Sequence, residues 1–229
     1  MTPDDRRVVT DSLGVGIGVG LYGVTFGALG TTSGLSILQT CVLSLLAFTG
    51  ASQFAFIGVL AGGGSPAAGA LTAVLLGARN TFYGITLAPL LQVKGWRRWP
   101  TAHLVIDEST AMAVTRPTPR QARLGFYWTG VSIFLLWNLT TALGAVAGDA
   151  IGDPRAIGLD AAVAAAFLGL LWPRLDSRFH RVLATVAALT ALALTPVAPA
   201  GVPIILGGLA AVVLGLSVSR GGAKGWPGE

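Results

Sequence analysis

Apolar and polar positions do not alternate along this chain; they fall into long blocks. From Ser12 to Ala78 there is no Asp, Glu, Lys, Arg or His. A helix needs about 20 apolar residues to cross a hydrocarbon core, so this run exceeds one crossing. It is punctuated at Gly30–Gly34 and at Gly62-Gly63-Gly64-Ser65-Pro66, compositions that break helices. The block pattern predicts spans near 12–30, 36–61, 67–91, 124–148, 159–173, 182–197 and 202–219. The seam between the last two carries Pro196, Pro199 and Pro203. The expectation is an all-α integral membrane protein, a single polytopic domain over 1–229 with about seven transmembrane helices.

The segment 101–114 is moderately apolar but short, with Asp107 and Glu108 at its middle and basic residues on both flanks. A crossing there would separate the basic flanks, so it is expected to be re-entrant or surface-lying. Three spans precede residue 100, so the fourth starts in the opposite sense to the first. That arrangement is compatible with an inverted repeat containing discontinuous helices. Within it, Phe54–Leu60 loosely echoes Ala166–Leu171.

Composition agrees with the pattern. The chain is 53% hydrophobic and 11% charged, against about 25% charged in soluble domains. Its net charge of +5 does not point to nucleic acid, because the basic residues lie in the gaps between apolar blocks, where loops and lipid head groups account for them. With seven spans, Lys94, Arg97, Arg98, Arg116, Arg120, Arg123, Arg174, Arg178, Arg181, Arg220 and Lys224 share one side, and Arg6, Arg7 and Arg155 the other. The richer side is expected to be cytoplasmic, with the N-terminus outside and the C-terminus inside. Cys41 is the sole cysteine, which excludes an intrachain disulfide. The start carries no leader cleavage pattern.

Candidate chemistry is sparse. Gly18–Gly23 matches a dinucleotide fingerprint formally, but no strand precedes it, and the Gly16–Gly20 and Gly23–Gly27 spacings suit close helix packing in lipid instead. Arg79 stands at the centre of the apolar block 67–91, and an intramembrane cation is a functional-site candidate by default. Tyr83 and Thr86 recur on its helical face and Asn80 adjoins it. Its guanidinium fits a carboxylate bidentately, which leaves an internal pair with Asp107 or Glu108 and a substrate carboxylate both open. Gly50, Ala51, Ser52 and Gln53 put polar groups at midspan, either as helix–helix glue or as an unwound, substrate-binding stretch. Asp160 reads as a helix N-terminal stabiliser, and His103 and His180 as interfacial. No nucleophile–base pair or metal spacing appears.

These residues resemble the AzlC family, the larger subunit of bacterial branched-chain amino-acid exporters. The resemblance rests on Phe48-Thr49-Gly50-Ala51-Ser52-Gln53-Phe54, Gly77-Ala78-Arg79-Asn80, Tyr83-Gly84, Leu87-Ala88-Pro89, Asp107-Glu108 and Gly158-Leu159-Asp160. Gly77, Asn80 and Ala161 stand where the family pattern has Asn, His and Phe. The resemblance implies export of hydrophobic amino acids at a bacterial plasma membrane, by proton antiport, with a small AzlD-type membrane partner. Gly50, Ala51, Ser52, Gln53, Arg79, Asn80 and Tyr83 then become expected substrate contacts, and Asp107 or Glu108 the proton-linked group. No cofactor is implied. A rival reading is a membrane scaffold that stabilises a partner without moving substrate.

Overall fold

A computed structural model describes residues 1–151, 168–169, 171–172, 175–198 and 201–221. The described residues form helices and no strand. In chain order these are α1 (Pro3–Leu21), α2 (Gly23–Thr32), α3 (Ile37–Leu46), α4 (Gly50–Ala61), α5 (Pro66–Gly77), α6 (Arg79–Leu91), α7 (Arg98–His103), α8 (Asp107–Val114), α9 (Pro119–Ile151), α10 (Arg178–Leu194) and α11 (Val202–Gly221).

Helices α1 and α2 form one rod, interrupted only at Tyr22, where the Tyr22 amide shifts its bond to Val19. The rods Pro3–Thr32 and Pro119–Ala150 are each long and apolar enough to cross a membrane. They lie side by side and point the same way. A Cβ at Gly16 would strike Ser132, one at Gly27 the Thr141 carbonyl, and one at Gly144 the Val24 carbonyl. Thr140 and Thr141 hydroxyls donate to the Gly20 and Gly23 carbonyls. Lipid supplies little hydrophobic drive between helices, so backbone approach and such hydroxyl bonds carry the contact. On the opposite face of α9, Val131, Leu135, Leu139, Leu143 and Val146 stand exposed, an apolar stripe suited to lipid.

The parallel pairing brings the chain's start next to the start of α9. Arg120 reaches Asp5 at 3.2 Å and Arg116 reaches Asp11 at 3.3 Å. We term this the lower end. The sequence expectation put the N-terminus and the basic 92–123 loop on opposite sides; the fold puts them together.

The reason is the segment 36–61, expected as one span. It folds into a hairpin. Going down α3, Thr40 packs on Gly30, Ser44 bonds Thr141, and the Phe48 ring meets Phe134. After the non-helical residues 47–49, α4 turns back upward: Gly50 faces Trp137, the Phe54 ring meets Phe26, and Phe56 abuts Gly69 of α5. The α5–α6 rod then descends the full height, bent only at Ala78, until the Leu90 carbonyl accepts from Arg123. It contains the expected span 67–91.

A second hairpin, α7 and α8, enters from below. Helix α7 rises as Thr101 bonds Tyr127 and the His103 ring meets Phe134. Helix α8 descends to place Met112 against Gly125. A rod followed by a hairpin from above is thus succeeded by a rod followed by a hairpin from below. The interruptions fall at Tyr22 and 47–49 in the first unit, and at Ala78 and 104–106 in the second. Within residues 3–114 the second unit repeats the element order of the first in the opposite sense. Half of the echo expected at 166–171 lies outside the described residues.

The apolar core sits where the tips meet, with Phe26, Phe48, Phe54, Ile57, Ile106, Ile133 and Trp137 buried together. Helices α10 and α11 cover the expected spans 182–197 and 202–219 and pack on each other, Gly207 sitting under the Ala187 carbonyl. Gly201 immediately precedes α11 with φ +93°, a left-handed turn that rests on Ala68 and Val59. The expected span 159–173, with Asp160, lies almost wholly outside the described residues, as does Arg155.

Candidate functional site

The two hairpin tips and the bend of the α5–α6 rod converge at mid-height. Arg79 opens α6 immediately after that bend. Its Nη2 lies 2.6 Å from Asp107 Oδ2, and the Tyr83 hydroxyl donates to Asp107 Oδ1 at 2.7 Å. Asp107 is the first residue of α8, and the helix N-terminus favours its charge. Of the two partners open to Arg79, the internal acid is the one in place. Arg79 and Asp107 retain 24% and 21% side-chain exposure, so the pair borders open space. Arg79 Nε and Asn80 Oδ1 are buried without hydrogen-bond partners. Glu108 follows in the first turn of α8 and is half-buried. Thr86 lies apart, donating to the Phe82 carbonyl on an exposed face.

Across from this cluster, Gly50, Ala51 and Ser52 form the first turn of α4. Thr49, at its N-cap, makes no side-chain capping bond. A helix start offers amides and a partial positive charge to an anion. The Ser52 hydroxyl is buried without a partner and lies 3.2 Å from where a Gly77 Cβ would stand. That places the α4 start against the α5 end, with Arg79 two residues further on.

Gln53 serves a different purpose from the substrate contact expected of it. Its Nε2 donates to the Ala47 and Ser44 carbonyls at 2.9 and 3.3 Å, while its Oε1 accepts from Trp137 Nε1 at 2.9 Å. The side chain satisfies carbonyls that α3 exposes where it stops. The helix does unwind at residues 47–49, and Gln53 is the glue that holds it so. Ser109 does the equivalent at the second tip, accepting from the Ile106 amide and donating to the Leu104 carbonyl.

His103, read as interfacial, stands instead at mid-height, with Nε2 2.9 Å from the Leu45 carbonyl. No residue pattern announces this; it follows from α7 rising into the bundle. His180, by contrast, is exposed, and its Nδ1 bond holds the Asp176 carboxyl below its usual range. Among the described residues no group of three His, Cys, Asp or Glu is placed to hold a metal.

The comparisons with known proteins agree with this picture. The AzlC protein family model matches residues 14–151, from the first rod through α9. An uncharacterised membrane protein of Archaeoglobus fulgidus is 31% identical over 90% of this chain and 87% of its own. One from Haemophilus influenzae is 28% identical over 55% of this chain, which spans about half of that relative's length (53%). The branched-chain amino acid transport protein AzlC of Bacillus subtilis is 24% identical over 64% of this chain and 58% of its own. No solved structure matches. The match covers both hairpins, the Arg79–Asp107 pair and the rods that carry them, and the chain belongs to the AzlC family.

Proposed function

We propose that this chain is a transporter subunit that exports branched-chain or other hydrophobic amino acids across a bacterial plasma membrane. The observation that carries the reading is the meeting of two opposed hairpin tips beside the Arg79–Asp107 pair. Broken helices and inverted repeats with polar groups at mid-height are the architecture of secondary transporters. The name of the Bacillus subtilis relative supplies the substrate class. In this reading the amides of Gly50, Ala51 and Ser52 receive the substrate carboxylate, with Asn80 and Tyr83 lining the same space. Gln53 holds the tip in shape. Arg79 balances Asp107, and protonation of Asp107 or Glu108 frees the guanidinium to follow the substrate, which couples export to proton entry.

The lower end holds Arg6, Arg7, Lys94, Arg97, Arg98, Arg116, Arg120 and Arg123, so it faces the cytoplasm by the positive-inside rule. The N-terminus is then cytoplasmic. A small AzlD-type subunit completes the exporter. The test is flux from proteoliposomes, with and without that partner, over a panel of amino acids under an imposed pH gradient. Gradient-driven valine or leucine flux is expected. A flat response across the panel with the partner present refutes the reading.

A further inference from the structure

We propose that His103 is the clasp between the two hairpins, a positioning residue that holds the α3 end so that α4 presents its free amides at mid-height. The argument is an accounting of carbonyls. Helix α3 stops at Leu46, in the middle of the bundle, and its last carbonyls have no helical partners. The Ser44 and Ala47 carbonyls are taken by Gln53, from within the same hairpin. The Leu45 carbonyl is taken by His103, from the other one.

A carbonyl left bare at this depth costs several kcal/mol unless water reaches it. The hairpins therefore separate at low cost only when water enters between the tips. That property makes the contact a gate: shut while the imidazole holds Leu45, on an exposed side of the tips, and open when it lets go. The acceptor fixes the chemistry, because a carbonyl can only accept, so Nε2 carries the proton. The Phe48 and Phe134 rings, 5.9 and 5.6 Å from the imidazole, hold it against the tip, the first tilted at 33° to it and the second edge-to-face at 75°. Gln53 cannot substitute from within the first hairpin, since it already spends both of its amide protons.

The word gate rests on the transport reading; the clasp does not, and its test needs no substrate. A single cysteine at Thr49, in a Cys41→Ala background, reports water at the first tip through its labelling rate with a membrane-impermeant maleimide. His103→Leu, which keeps bulk and loses the donor, is expected to raise that rate about tenfold. His103→Gln, whose amide can donate, is expected to label within about twofold of the parent. A His103→Leu rate equal to the parent, or a His103→Gln rate as high as His103→Leu, overturns the proposal. If His103→Leu does not assemble, Phe48→Cys/Leu104→Cys in the Cys41→Ala background, which keeps the imidazole, decides with a short bifunctional thiol reagent: crosslinking in the resting protein is required, and its absence refutes the clasp. An absence of amino-acid flux in the parent would refute the transport reading and leave these outcomes unchanged.

Discussion

Arg79 and Asp107 meet at 2.6 Å although one opens α6 in a full-height rod and the other opens α8 in a hairpin. The contact joins an element that crosses the bundle to one that enters and leaves by the same end. Truncating either partner strands the other's charge in a poorly hydrated place. Loss of one partner from a buried pair costs roughly 3–5 kcal/mol, and residual exposure puts this pair at the lower end. Arg79→Ala should abolish valine and leucine efflux while the protein still inserts. Arg79→Ala/Asp107→Ala should regain thermal stability in detergent relative to Arg79→Ala and still carry no flux. Wild-type efflux from Arg79→Ala would remove the residue from the mechanism.

Tyr83 contributes one hydroxyl to the same carboxylate. A hydrogen bond to a charged group is worth roughly 1.5–3 kcal/mol, so Tyr83→Phe should slow efflux by about tenfold or more without changing expression. The ring stays in place, so a loss of folding in Tyr83→Phe would show that the hydroxyl serves stability instead.

Gln53 separates scaffold from site. Gln53→Leu leaves the Ser44 carbonyl and Trp137 Nε1 unpaired and takes from the Ala47 carbonyl one of its two donors, the Thr49 amide remaining. At about 1–3 kcal/mol for each orphaned group, this variant should fail to accumulate or should melt far below the parent. Trp137→Phe removes a single bond and should be markedly milder. Equal melting temperatures for the two would contradict the capping role.

Arg79 was legible because one charge at the centre of a long apolar block has few explanations. The second hairpin was legible because Asp107 and Glu108 sit between basic flanks that favour one side. The first hairpin was not. Residues 36–61 are as long and apolar folded back as they are straight, and the polar stretch Thr49–Gln53 at the return suits a break within a straight crossing equally well. Counting that segment as a crossing then put the N-terminus and the loop before α9 at opposite ends, where the fold joins them through Asp5–Arg120 and Asp11–Arg116. The repeat is hidden for a related reason: its matching positions, Gly50 with Asp107 and the Tyr22 break with the Ala78 break, share geometry and no side-chain chemistry. Gln53 carried a correct signal, a polar residue at midspan, with the wrong recipient.

The glycines of the first rod divide by what they face. A Cβ at Gly27 meets the Thr141 carbonyl, whereas none of the atoms around Gly18 lies within 4 Å. Gly27→Ala should cost about 1–3 kcal/mol as overpacking forces α2 from α9. Gly18→Ala should be neutral or gain up to about 1 kcal/mol from helix propensity. Thermal melts of the two variants in one detergent compare them directly, and equal losses would contradict the parallel α2–α9 packing.

Topology is the remaining consequence of that packing. Asp5 and Asp11 bond Arg120 and Arg116, so the N-terminus and the loop before α9 must lie on the same side of the membrane. Straight crossings at 12–30, 36–61 and 67–91 would instead put them on opposite sides. A cysteine at Thr2 and another at Thr118, each alone in a Cys41→Ala background, report the side through labelling in intact cells and in inverted vesicles. Both should be silent in intact cells and reactive in inverted vesicles. Opposite behaviour at the two positions would mean that residues 36–61 cross the bilayer and that the hairpin is absent.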